Sequence, residues 1–324
     1  MKAIVVTQYG GAEVLQLQEK EIGKPGKGQV LVRIEAIGIN FVEIYKRRGI
    51  IQEKLPSIPG SEAAGAIEAL GEGVSGFKVG DRVAYIHQPG AYAEKSVVFA
   101  ESLIPLPDDI SFEQGAAFPL QGATAHYLLH EFRKPKPGDV VLIHAAAGGM
   151  GLLLVQWARH LGARVIGTVS TEEKAKVAID AGATDVILYT KQNFASEVIR
   201  LTNGHGADLI IDGVGKTTFP GNLEAATRRG QIVIYGAASG PAEPISPNSL
   251  MARSLTLSGG SLQNFMLDRN EMLTRANAVI KGIQEGWLKL RIDKVLPLSE
   301  ASVAHRLLES RQTIGKVILS TFTI

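Results

Sequence analysis

The chain has 324 residues, 45% hydrophobic and 20% charged, an ordinary globular composition with length enough for two domains that bury their own cores. Lys and Arg total 34 against 32 for Asp and Glu, so the net charge of +2 supplies no global basic field for nucleic acid or an anionic membrane. Cysteine is absent, which excludes disulfides, a thiolate nucleophile, Cys-ligated iron–sulfur clusters and Cys-containing zinc sites. The seven histidines form no HExxH or comparable ligand cluster, so no metal site is expected. The opening apolar run is too short for a signal peptide, and no uncharged apolar stretch reaches the ~18 residues that span a bilayer. These features predict a soluble, cytoplasmic protein.

Up to about residue 120 the pattern is one of short β-like runs, at 3–6, 30–37, 64–70, 82–86 and 91–99, cut by glycine turns. That spacing predicts a small barrel or sandwich. From about Lys136 the rhythm becomes strand, helix, strand. A fully apolar run at 140–143 suits a strand buried on both faces, and 152–161 has helical spacing up to Gly162. A strand follows at 164–168, and Ser170 with Glu173 reads as a capping box opening the next helix. Further strands are expected at 186–188, 208–211, 232–235 and 255–258, which together imply a parallel, doubly wound sheet. The tail carries helices at 271–285 and 299–310 and strands at 294–298 and 316–320. It does not extend the alternation, so it is assigned back to the first domain. The domains expected are therefore 1–122 with 262–324, interrupted by 123–261.

Between the strand ending at His144 and the next helix lies Ala145-Ala146-Ala147-Gly148-Gly149-Met150-Gly151, a dinucleotide fingerprint with Ala in its first position. Small residues let the backbone turn tightly against a pyrophosphate, and the helix N-terminus supplies N–H donors and partial positive charge. The competing reading is a tight turn with no ligand. About 20 residues on, where an acid would bind the ribose hydroxyls of NAD, the chain reads Thr168-Val169-Ser170-Thr171, with Lys174 one turn later. Hydroxyls and a lysine suit a 2′-phosphate and so favour NADP. A plain cap at Ser170 and a solvated Lys174 would also account for these residues, and Glu172 and Glu173 add negative charge nearby.

The combination of Gly38-Ile39-Asn40-Phe41, Pro59-Gly60-Ser61-Glu62-Ala63-Ala64-Gly65, Val79-Gly80-Asp81-Arg82-Val83 and the loop 145–151 resembles the medium-chain dehydrogenase/reductase superfamily, in its zinc-free quinone oxidoreductase (zeta-crystallin-like) branch. The resemblance runs the length of the chain. It implies an α/β protein with a GroES-like β-barrel catalytic domain, a Rossmann NADP-binding domain and a site in the cleft between them. Zinc alcohol dehydrogenases of the superfamily place a metal-ligating His where this chain has Ser61, so the resemblance implies that both family zinc sites are lost. Without a Lewis acid a simple alcohol is a poor hydride donor, whereas a conjugated carbonyl accepts hydride more readily.

The same resemblance implies, position by position, that Phe41, Val42 and Glu43 line the nicotinamide side with Tyr127 near that end, and that Gly149 and Met150 meet the pyrophosphate. It implies that Ser170, Lys174 and Tyr189 bind the 2′-phosphate, that Tyr235, Gly236, Ala237 and Ala238 pass beneath the nicotinamide ribose, and that Arg311 reaches in from the tail. For Tyr127, Tyr189 and Tyr235, packing is the competing reading, and for Arg311 a solvated charge. Asn40 and Tyr45 are the catalytic candidates, as hydrogen-bond partners of a substrate carbonyl oxygen. A turn residue at Asn40 and helix packing at Tyr45 are the alternatives. Ile51 and Gly259 depart from the Tyr and Arg that some relatives carry. The expected activity is metal-free, NADPH-dependent reduction of quinones. The alternatives are 2-alkenal or enone reduction and, in another class, an NADPH-binding structural or RNA-binding protein. The absence of a basic run or aromatic-interleaved patch argues against nucleic acid, and the resemblance implies a homodimer in which the last Rossmann strand, around 255–258, pairs with its copy.

Overall fold

The computed structural model describes residues 1–322. In chain order the first strands are β1 (Lys2–Val5), β2 (Gln16–Glu19) and β3 (Gln29–Gly38), followed by helix α1 (Phe41–Arg47). Next come β4 (Glu62–Leu70), β5 (Arg82–Ile86), β6 (Lys95–Phe99) and β7 (Leu103–Pro105), then α2 (Phe112–Ala117) and α3 (Pro119–His130). The alternating part holds β8 (Val140–Ile143), α4 (Gly149–His160), β9 (Arg164–Val169), α5 (Glu172–Asp180), β10 (Asp185–Leu188) and α6 (Phe194–Leu201). It continues with β11 (Ala207–Asp212), α7 (Phe219–Ala225), β12 (Ala226–Ile234) and β13 (Thr256–Gly259). The tail is α8 (Arg269–Gln284), β14 (Ile292–Pro297), α9 (Ala301–Glu309) and β15 (Lys316–Ser320).

The chain divides into two compact units. The first comprises Met1–Leu120, Asp268–Ala276 and the chain from Leu290 onward. Its main sheet runs β14-β15-β3-β4-β5-β7, with β6 also on β3 and β1 paired to β2. Long β3 anchors the sheet because every second side chain from Val30 to Ile34 is buried, and it pairs antiparallel with β4, β6 and β15. Ile4, Val32, Ile34, Ile67, Val83, Tyr85, Tyr92 and Leu319 form the core of this unit. At Gly65 a Cβ would collide with the Arg33 carbonyl of β3, so only glycine lets the two strands approach where the ladder is irregular.

The second unit comprises Gln121–Leu267 and Asn277–Lys289. Its six strands are parallel in the order β10-β9-β8-β11-β12-β13, the doubly wound arrangement expected from the alternating pattern. β8 and β11 are buried along their whole length, as strands covered on both faces must be. The stretch Asn277–Lys289, grouped by the sequence reading with the tail, packs within this unit. Val279 closes over Gly122, and the Trp287 ring sits 5.5 Å from Trp157 and stacks at 4.0 Å on His160.

Candidate active site

In the first unit the site is built where β3 ends and α1 begins. Asn40 is the N-cap of α1, and the Glu43 carboxylate reaches back to accept its backbone N–H at 2.8 Å. The other oxygen of Glu43 accepts the Ser61 hydroxyl at 2.6 Å. Ser61 and Glu62 follow Gly60, whose φ of +93° turns the chain into β4; a Cβ there would also strike the Tyr92 ring. The Asn40 amide donates to Glu62 at 2.7 Å, and the Lys316 ammonium from β15 bonds both the Asn40 amide oxygen at 2.7 Å and the same Glu62 oxygen at 2.6 Å. The second Glu62 oxygen accepts the Leu120 N–H. At Gly38 a Cβ would collide with Glu62 and with the Ala116 carbonyl, so glycine makes room for the carboxylate.

All five groups are buried: Asn40 is 4% exposed, Glu43 1%, Ser61 8%, Glu62 none and Lys316 3%. Lys316 and Glu62 satisfy each other as a buried ion pair with further hydrogen bonds, which is the condition for such a pair to persist. Glu43 has no cation of its own in contact. Burial, opposed mainly by the Ser61 hydrogen bond, pushes its carboxyl up to about 7. The expected lining role of Glu43 therefore does not belong to its side chain, which is consumed inside this cluster. Phe41, Val42 and Tyr45 are half-buried on the same helix, the Tyr45 ring lying 6.3 Å from Phe41. The far end of α1 is tied down by Arg47, which donates to His305 Nδ1 and to Glu309 of α9. Because arginine only donates, His305 Nδ1 accepts, and its Nε2–H then donates to the Tyr92 hydroxyl at 2.9 Å.

In the second unit the loop 145–151 joins β8 to α4. Gly151 is required because a Cβ would collide with the Ala145 carbonyl, and the first loop residue, Ala145, sits at φ 51° where glycine would be relaxed. The N-cap of α4 is Gly148, with no side-chain cap, which leaves the helix N-terminus open toward an anion. The loop lies where the strand order reverses between β8 and β11, the place where doubly wound sheets bind dinucleotides. A buried network that the sequence reading missed supports the strand ends beneath it. His144 at the end of β8 takes a hydrogen bond from Thr168 of β9 and gives one to Asn222 of α7, whose amide donates to Asp212 of β11. Asp212 also accepts from Val214 N and Gly215 N and from the Thr218 hydroxyl. The signal was an ionisable residue at the end of each of two apolar strands.

At the end of β9 the structure moves the helix cap by one residue. Thr171, not Ser170, is the N-cap of α5 and accepts the Lys174 N–H at 3.2 Å, which corrects the Ser170–Glu173 capping box. Ser170 and Tyr189 lie just past adjacent strand ends, with Lys174 in the first turn of α5: Tyr189 N donates to the Val169 carbonyl, and the Thr190 hydroxyl donates to the Ser170 carbonyl. Tyr189 is 44% exposed, as a ligand contact requires and core packing does not. Glu172 is paired with Lys191 at 2.9 Å, which offsets the negative charge anticipated there.

Tyr235 starts the loop after β12. Gly236, Ala237 and Ala238 lie against the loop after β11, where Ala238 N donates to the Gly213 carbonyl. Tyr127 is different. It is 1% exposed and stacked on Phe265 at 4.6 Å with Phe132 at its edge, so packing is what its ring does. Gly149 and Met150 are half-buried in the first turn of α4. Arg311 is exposed just past α9, at φ 58°. Among the described residues no group of three or more His, Asp or Glu could hold a metal, and no helix is long and apolar enough to cross a membrane.

Residues 26–108 match the family model described as "Alcohol dehydrogenase GroES-like domain", and residues 149–280 match the one described as "Zinc-binding dehydrogenase". The chain is 41% identical to a quinone oxidoreductase of Pseudomonas aeruginosa, over 98% of this chain and 99% of that protein. It belongs to the quinone oxidoreductase family. It is 43% identical to a 2-haloacrylate reductase of a Burkholderia species, over 98% of each chain. The solved structure of Escherichia coli quinone oxidoreductase complexed with NADPH superposes with a TM-score of 0.96 at 38% identity, covering 99% of this chain and 100% of that one. The first unit is thus the GroES-like domain and the second the Rossmann domain of a medium-chain dehydrogenase/reductase, the fold class read from the motifs. One family description names zinc, yet this chain has no cysteine and carries a serine at residue 61.

Proposed function

We propose that the chain is an NADPH-dependent reductase of quinones and related conjugated carbonyls, working without metal or flavin. Full-length likeness to quinone oxidoreductases, one of them solved with NADPH, carries this reading. The residues fit that cofactor: an uncapped helix N-terminus behind a glycine-rich loop, and a strand end with Ser170, Lys174 and Tyr189 in place of an acid. Bound NADPH supplies the hydride. Gly149 and Met150 would hold the pyrophosphate, the loop 235–238 the nicotinamide ribose and Phe41 and Val42 the nicotinamide side, with Arg311 reaching in from the tail.

Asn40 and Tyr45 would hydrogen-bond the acceptor oxygen as negative charge develops on it. Lys316 on the Asn40 amide oxygen polarises the amide and strengthens it as a donor. Preorganisation explains why these groups are fixed before substrate arrives: the amide is held from both ends. The 2-haloacrylate reductase relative favours a second reading, reduction of the polarised double bond of a small conjugated acid or enone. Steady-state NADPH oxidation with benzoquinones, 2-alkenals and 2-haloacrylates separates the two. Quinones as the best acceptors support the first reading, faster turnover of the others the second, and no turnover across the panel rejects both.

The active form is read as a homodimer acting on a small molecule, with no nucleic-acid or membrane partner and a cytoplasmic location. β13 pairs only with β12 among the described residues and so presents an open edge, with Met251 72% exposed nearby in sequence. Sedimentation at working concentration should give a dimer; a monomer contradicts it.

A further inference from the structure

The buried cluster around Asn40 holds three ionisable side chains but only one ion pair. Glu62 is matched by Lys316, whose ammonium bonds it directly. Glu43, in the first turn of α1, is bonded to a hydroxyl and a backbone N–H and, among the described residues, to no cation. The groups facing it from the surrounding elements are Glu62 on β4, Lys316 on β15, the Tyr92 phenol and, further along α1, Arg47, which is spent on His305 and Glu309. His87, after β5, faces Glu62 rather than Glu43 and is held neutral by burial.

We propose that Glu43 is a proton-linked positioning residue for Asn40: with its carboxyl neutral the Asn40 site can stabilise a developing oxyanion, and with its carboxylate formed it opposes that charge. This rests on the reading of Asn40 as the group that meets the acceptor oxygen.

The hydrogen bonds make the two states explicit. As a carboxylate, Glu43 accepts from both Asn40 N–H and Ser61 O–H. As an acid, it keeps the Asn40 bond through its carbonyl oxygen but donates its own proton to Ser61 Oγ, so the Ser61 hydroxyl hydrogen turns to another acceptor. What changes is one unit of negative charge, one hydrogen bond from the backbone N–H of the residue whose side-chain amide must attract negative charge, in a site where little water screens it. Glu43 titrates at about 7, so the change falls in the working range.

The experiment is the pH dependence of kcat/KM for NADPH-driven reduction of one benzoquinone by the whole enzyme. Wild type should lose about tenfold per pH unit above about pH 7. Glu43→Gln, which keeps an acceptor for Asn40 N–H and a donor for Ser61, should lack that alkaline limb. Ser61→Ala removes the hydrogen bond that favours the carboxylate and should move the limb to higher pH. A purely structural role for Glu43 would shift rates without moving the limb. The proposal is overturned if Glu43→Gln and Ser61→Ala both keep the wild-type limb. Should Glu43→Gln fail to fold, Ser61→Ala decides alone. Infrared titration of the resting enzyme is independent of turnover: a protonated-carboxyl band that vanishes near pH 7 supports the proposal even if quinones prove to be the wrong acceptors, and its absence at pH 5 overturns it.

Discussion

At the scale of single residues, two buried groups set opposing pH dependences of stability. Glu43 is raised from 4.5 to about 7, so between those values the folded chain holds a proton that the unfolded chain has lost. Its contribution is fully present below about pH 4.5 and disappears as the pH rises through 7, a span of about 3 kcal/mol. His305 is lowered from 6.5 to about 3 by burial and by Arg47, so the unfolded chain binds the extra proton. That contribution is present above about pH 6.5 and is lost as the pH falls toward 3. From pH 7 to 5 the two nearly cancel, at about 2 kcal/mol each. Glu43→Gln removes only the first. Urea unfolding should show the variant gaining about 2 kcal/mol on wild type as the pH is raised from 5 to 7; parallel curves would show that Glu43 titrates as an ordinary surface acid.

At the scale of elements, the strand–loop–helix at β8 and α4 was readable because every signal is local: an apolar strand, small loop residues, then helical spacing. The cap of α5 was not, since Ser170 and Thr171 are adjacent hydroxyls and sequence cannot say which one faces the first turn. The structure gives the cap to Thr171, and the proposed function gives the 2′-phosphate to Ser170. Thr171→Ala should cost about 1 kcal/mol of stability and leave the KM for NADPH nearly unchanged, whereas Ser170→Ala should raise that KM severalfold at unaltered stability. The reverse pattern would restore the original capping assignment. Helices α2 and α3 escaped the sequence reading, because small residues, Gly115, Gly122 and Pro119 blur their periodicity. The Asn40 cluster escaped it for another reason: Glu62 and Lys316 are 254 residues apart in the chain. Their one legible sign was a charge set in an apolar run, Lys316 ahead of Val317-Ile318-Leu319 and Glu62 ahead of Ala63-Ala64. Tyr127 is the opposite case, a residue whose expected place came from position alone and whose ring packs on Phe265, the competing reading.

At the scale of the whole molecule, the proposed function gives each unit one half of a hydride transfer. The Rossmann domain offers a loop and a strand end shaped for a dinucleotide with a 2′-phosphate. The GroES-like domain offers the Asn40 amide, braced by the buried Lys316–Glu62 ion pair. Lys316 and Glu62 form a charge-matched pair that holds the amide in place without an exchangeable ion. The account therefore requires selectivity for NADPH and indifference to chelation at the same time. The measurement that tests both is kcat/KM for NADPH and for NADH across the quinone and enone panel, before and after exhaustive treatment with a zinc chelator. The account predicts strong preference for NADPH and equal rates with and without the chelator. Equal use of NADH, or activity lost on chelation and restored by zinc, would contradict it.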